Sequence, residues 1–197
     1  TIETKHKKIL QYLKKNLSKF KKVIVCDFGH GLFNKEIIQL LEKKSNFLCV
    51  NVQTNSGNRG FNLFKKFKKA DLMMLDEPEI RLGLSERYMN LKDIMINKSL
   101  SDYKNLIVTL GVKGMALKNK SKNNSFFVPA LNNKAIDTLG AGDAAYSYAS
   151  MFLRNTKNLL LIGLLSSIAA GIKASILGHE NFIKYKDVER TLVSILK

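Results

Sequence analysis

The run Asp137-Thr-Leu-Gly-Ala-Gly-Asp143, followed at once by an alanine-rich stretch to Ser150, sets two carboxylates around a pair of glycines at the mouth of a helix. Gly140, Ala141 and Gly142 leave successive backbone N–H groups with little side chain in front of them. The first turn of a helix adds N–H groups without intrahelical partners and the positive end of the helix dipole. Together these make a hole for an anion. Asp143 falls on the first turn beside the same anion, where a carboxylate can take the proton from a hydroxyl attacking a phosphoryl group. The plainer role for Asp143 is that of a first-turn acid, worth about 0.3–1 kcal/mol against the dipole, with the glycines as a turn. Spacing within this run does not separate the two roles.

Such residues need elements that carry them to one place, and the chain alternates those elements. Leu10, Leu13, Leu17 and Phe20 recur at helical spacing, and Lys22 to Phe28 then reads as a strand ending in a glycine loop. A helix over residues 34–44 with Asn34 as N-cap leads to a second buried strand, Phe47 to Val52. After the polar loop 53–60 come a short helix, a third strand over 70–76 and a helix opening at Pro78. A further helix over about 88–100 leads to a fourth strand, Asn105 to Gly111, and a hairpin through residues 119–124 returns with Ser125 to Ala130. Helices alternating with continuous apolar strands predict a three-layer α/β/α fold around a mostly parallel sheet. Ligands of such sheets bind beyond the carboxyl ends of the strands. The residues standing there are Asp27, Asn51, Asp76 to Glu79, Gly111 to Gly114 and Asp137 to Asp143. Asp27 is a candidate for a substrate hydroxyl, with loop capping as its alternative role, and Asn51 is a candidate for a similar contact. His30, in a glycine loop after a strand, faces either a substrate or solvent; His6 and His179 read as surface residues.

Composition narrows the partners. With 45% hydrophobic residues over 197, residues 1–197 are read as one domain with its own core. The net charge of +17 comes almost wholly from lysine. It reads either as a field for an anionic partner or as a compositional bias spread over solvated faces. The basic residues are scattered, without the interleaved aromatic rings of a stacking surface, so a nucleic-acid partner is not expected. Cys26 and Cys49 each sit in an apolar run and read as small buried residues, in a pattern that fits neither a disulfide framework nor a zinc site. The stretch Leu159 to Gly178 is interrupted by Ser166, Ser167 and Lys173 and reads as a buried helix rather than a membrane span. No membrane partner is expected, and the polar N-terminus predicts a cytoplasmic protein.

Three motifs in order carry a resemblance. Asp137 to Asp143 resembles the D-T-x-G-A-G-D signature of the PfkB/ribokinase family of sugar kinases. Val108 to Gly114, VTLGVKG, is similar to that family's T-x-G-x-x-G turn, and Asp76 to Glu79, DEPE, falls where the family has N-x-x-E. The likeness runs from Val23 onward, and the segment CDFGHGL is most similar to kinases of the ADP-heptose pathway.

The resemblance implies an ATP-dependent kinase of ribokinase-like fold acting on a sugar, or a heptose-like sugar phosphate. Gly140, Ala141 and Gly142 would form the anion hole and Asp143 would be the base. Thr109, Gly111 and Gly114 would line the nucleotide site, and Glu79 would help organise Mg²⁺ and the phosphates. A potassium ion is implied near Asp137. Two positions depart from the pattern: Asp76 replaces an asparagine, exchanging an amide donor for an acceptor, and Ser167 stands near the adenine pocket where the heptose kinases carry asparagine. These departures support a second reading, a catalytically silent nucleotide- or sugar-phosphate-binding regulatory domain. Family members also have an upstream segment with central strands, most of the sugar site and a lid sheet. The chain, starting at Thr1, is therefore expected to be the C-terminal, nucleotide-binding part of a longer kinase. It should carry an open sheet edge that invites pairing, as in a homodimer.

Overall fold

Asn34 accepts the Ile37 N–H on its side chain and so starts a helix where the sequence predicts one. Asp76, Asn90, Asn97 and Asn158 cap the helical turns that follow them in the same way, and buried apolar strands lie between the helices. The structure is a computed structural model that describes all residues except 1, 122–124, 132–134, 157 and 179; His179 therefore lies outside the described residues. The chain groups into two compact units, one essentially residues 1–106 and the other 107–118 with 124–197. Each is described by itself.

The first unit holds α1 (Ile2–Asn16), β1 (Val23–Asp27), α2 (Lys35–Lys44), β2 (Leu48–Val52), β3 (Leu72–Asp76), α3 (Glu77–Leu84) and α4 (Leu91–Ile96). β1 pairs with β2 and β2 with β3, both parallel. β2 is buried along its whole length, the pattern of a strand covered on both faces. β1 differs. Val25 and Asp27 are buried, but Ile24 and Cys26 are exposed. Cys26 was expected in the core, and the structure corrects this: β1 ends the strand order, and the face carrying Ile24 and Cys26 is uncovered. Only Cys49, on β2, is the buried thiol that its apolar run implies. The short helix expected after the polar loop is a single 3₁₀ turn, Phe64–Lys66. The helix expected over 88–100 shrinks to α4 and a 3₁₀ turn, because Asn90 and Asn97 each cap a new start.

The second unit holds most of β4 (Asn105–Thr109), then β5 (Met115–Asn119), β6 (Ser125–Val128), α5 (Ala141–Phe152), α6 (Leu159–Ala174) and α7 (Tyr185–Leu196). β5 and β6 form the antiparallel hairpin, with Met115 opposite Val128. Ala145 and Ala149, both fully buried, let α5 pack closely on α6. The paired strands of the first unit are parallel and the hairpin of the second is antiparallel, the mostly parallel α/β pattern that the sequence predicts. Among the described residues, no helix is long and apolar enough to cross a membrane.

Candidate functional site

In the second unit, Gly140 is the N-cap of α5 and adopts φ 78°, ψ 3°, the left-handed conformation that glycine takes without penalty. This turn leads the chain into α5. Ala141 N–H donates to Thr138 O at 3.1 Å, and Ala144 N–H closes the first helical bond on Gly140 O at 2.9 Å. A side chain at Gly142 would meet nothing within 4 Å. The open space there is what close approach of a phosphate to the helix N-terminus requires. Asp143 lies exposed on the same first turn. Asp137 braces the loop ahead of it: Oδ1 accepts Leu139 N–H and Oδ2 accepts Gly178 N–H, both at 2.9 Å.

Also in this unit, Thr109 ends β4, and Gly111 and Gly114 bound a 3₁₀ turn with φ 59° and 108°. Gly114 is pressed against the backbone of residues 128–130, where a Cβ would come within 2.1 Å of Val128 O. The second glycine of the turn is therefore demanded by packing of the hairpin as well as by any ligand. Ser167, buried on α6, spends its hydroxyl on Pro129 O at 2.8 Å.

In the first unit, Asp76 and Glu79 form a reciprocal capping box at the start of α3. Asp76 Oδ1 accepts Glu79 N–H at 2.7 Å, and Glu79 Oε2 accepts Asp76 N–H at 2.8 Å. Glu79 Oε1 takes Thr54 N–H at 2.9 Å, so both oxygens of this buried carboxylate already hold backbone donors. Burial raises the Asp76 carboxyl above its ordinary value of 3.8, opposed by the Glu79 N–H and assisted by the charge of Glu77. Asp27, 2% exposed, caps its own loop through Gly29 N–H and pairs with the Lys66 ammonium. Asn51 is buried and donates to Met74 O at 2.9 Å. Among the described residues, no cluster of His, Cys, Asp and Glu could hold a metal ion.

The structure thus gathers the predicted residues into two groups, Asp27, Asn51, Asp76 and Glu79 in one unit and Thr109, Gly111, Gly114, Asp137, Gly140 to Asp143 and Ser167 in the other. It also adds residues the sequence reading passed over. Asn62 donates to Asp27 O and Gln53 O and accepts from Lys66 Nζ at 2.6 Å. The spacing of Asn62 and Lys66 was a visible signal; their partner Asp27 was not. His30 is exposed in its loop, and His6, on α1, reaches Gly31 O at 2.7 Å.

Residues 34–157, more than half of the chain, match the pfkB family carbohydrate kinase description. Among curated proteins, the chain is similar to bifunctional protein HldE of Aliarcobacter butzleri, 25% identical over 89% of this chain and 37% of that protein. It is similar also to HldE of Nitratiruptor, 25% identical over 84% of this chain and 34% of that protein. The chain spans well under half the length of these relatives. Among solved structures, ribokinase from Thermotoga maritima superposes with TM-score 0.72 at 24% identity, covering 91% of this chain and 59% of the ribokinase. Ribokinase from Arabidopsis thaliana, complexed with ribose and ATP, gives TM-score 0.73 at 15% identity over 90% of this chain and 57% of that one. Phosphofructokinase-2 from Escherichia coli in complex with potassium gives 0.76 at 14% identity over 95% of this chain and 62% of that one.

Proposed function

The chain belongs to the pfkB family of carbohydrate kinases, and on that premise we propose that it transfers the γ-phosphoryl group of ATP to a sugar hydroxyl, with Asp143 as the base. The observation that carries the reading is the N-terminus of α5, where a left-handed Gly140 and an unobstructed Gly142 present N–H groups beside an exposed carboxylate. These dipoles would stabilise charge developing on the transferred phosphoryl, and Asp143 would accept the proton of the attacking hydroxyl. Within the second unit, Thr109, Gly111, Gly114 and Ser167 would border the nucleotide; within the first, Asp27 and Asn51, buried on partners of their own, would serve a sugar only through the loops they hold. Mg²⁺ would arrive with the nucleotide as part of the substrate; with both oxygens of Glu79 already accepting N–H groups, that carboxylate would act on it through the capping box of α3 and through water. A heptose-like sugar phosphate is the substrate class, supported by the likeness to HldE proteins, and the cytoplasm is the compartment.

Asp143→Asn in the full polypeptide is the direct test. Turnover of ATP with a panel of sugars and sugar phosphates should fall by roughly 10²–10⁴-fold, the usual yield of a positioned base, while ATP binding and thermal stability stay near wild type. Wild-type turnover in this variant would remove Asp143 from the chemistry. A wild-type protein that binds ATP and phosphorylates no sugar would favour the silent regulatory domain, a reading supported by the engagement of Glu79 and Ser167 with the backbone.

A further inference from the structure

Lys173 is the one charged side chain of α6, in a helix otherwise made of apolar, small and hydroxyl residues, and it is 8% exposed. Its Nζ donates to Gly178 O at 2.6 Å. Its Cε and Nζ are also the atoms a Cβ at Gly140 would meet, at 3.3 and 4.0 Å. The ammonium therefore sits directly behind the left-handed glycine that opens α5. The loop it grips is tied to the signature from the other side: Gly178 N–H donates to Asp137 Oδ2, and the N–H groups of Ile136 and Asp137 both donate to Ala174 O. Burying an ammonium against a carbonyl carries a desolvation cost that a methionine or leucine at this position would avoid.

The potassium ion implied at Asp137 does not fit this arrangement. A monovalent cation is held by several carbonyl or carboxylate oxygens. Here both Asp137 oxygens face N–H donors and the Gly178 carbonyl faces the ammonium.

Resting on the kinase reading above, we propose that Lys173 is a built-in cation of the nucleotide site. Its ammonium fixes the Gly178 loop against the Asp137–Gly140 turn and places a positive charge behind the anion hole, so phosphate binding needs no added monovalent cation. Lys173 is a positioning residue, acting through Gly140 and Gly178 on the N–H groups of α5.

Calorimetric titration of ATP into the full polypeptide tests this, in buffers of equal ionic strength whose cation is tetramethylammonium, sodium or potassium. Wild-type affinity should be the same in all three. Lys173→Met, checked by thermal melting, should lose roughly tenfold in tetramethylammonium, about 1.4 kcal/mol, and should recover in an ammonium salt of equal ionic strength, whose cation can donate to the freed Gly178 O as the lysine does, a recovery that a purely structural lysine would not allow. Wild-type affinity that rises several-fold when potassium replaces tetramethylammonium overturns the proposal, and this series stands even where the Met variant fails to fold. A folded Lys173→Met that binds like wild type in every buffer overturns it too. Wild-type protein that binds no ATP in any buffer overturns the kinase reading with it, so the two failures are distinct.

Discussion

Gly140 and Gly142 look alike in the signature and differ in the structure. A Cβ at Gly140 would meet Lys173 on a backbone with φ 78°, whereas one at Gly142 would project into open space on an ordinary helical turn. Gly142→Ala should therefore leave stability unchanged or raise it by up to about 1 kcal/mol, the helix preference of alanine over glycine. The added methyl stands where a phosphate oxygen must approach the N–H groups, so ATP affinity should fall roughly tenfold, about 1.4 kcal/mol. A thermal melt and an ATP titration on one preparation read both quantities, and a Gly142→Ala variant that binds ATP like wild type would mean that the anion does not sit there. At this scale the turn at Gly140 and the helix start after it were legible because glycine and an alanine-rich run announce them. Lys173 was legible only as an interruption of an apolar helix; its meaning depends on the Gly178 loop folding back to meet it, which no local pattern encodes.

Elements carry the next level, and α3 shows how a cap couples folding to pH. Asp76 is held above its ordinary 3.8 mainly by burial. For a carboxyl raised on folding, stability is fully present below the unfolded value and declines as pH rises through the folded one, because the unfolded chain gives up its proton first. Asparagine caps as well as aspartate and carries no charge to desolvate. Asp76→Asn should thus match wild type near pH 4 and become the more stable protein as pH rises toward neutrality. Denaturant melts of the pair across that range check the sign, and a gap that widens toward acid would contradict it. The strands were legible for a related reason: β2 and β3 are apolar runs because both faces of each strand are buried. The same signal misplaced Cys26, since an apolar run does not say whether its strand ends the sheet, and the helix expected over 88–100 was cut short by Asn90 and Asn97, whose side chains cap new starts.

Across the whole molecule, the charge of +17 is the property that a site-level account must survive. A diffuse basic field attracts any polyanion, and its hallmark is steep loss of affinity with salt, because each neutralised phosphate releases counterions. A nucleotide seated on fixed N–H dipoles of one helix owes less to that field, since those donors act at contact distance, well inside the screening length. The two origins separate in one experiment. Raising salt from roughly 50 to 200 mM should weaken a labelled single-stranded oligonucleotide, followed by anisotropy, by roughly 10²–10³-fold where about six or seven phosphates are contacted. ATP, followed by calorimetry in the same protein, should lose less than about tenfold, and Gly142→Ala should weaken ATP without touching the oligonucleotide. An ATP affinity that collapses in parallel with the oligonucleotide, indifferent to Gly142, would mean that lysine charge alone does the binding and that the signature at α5 is a fold element without a ligand.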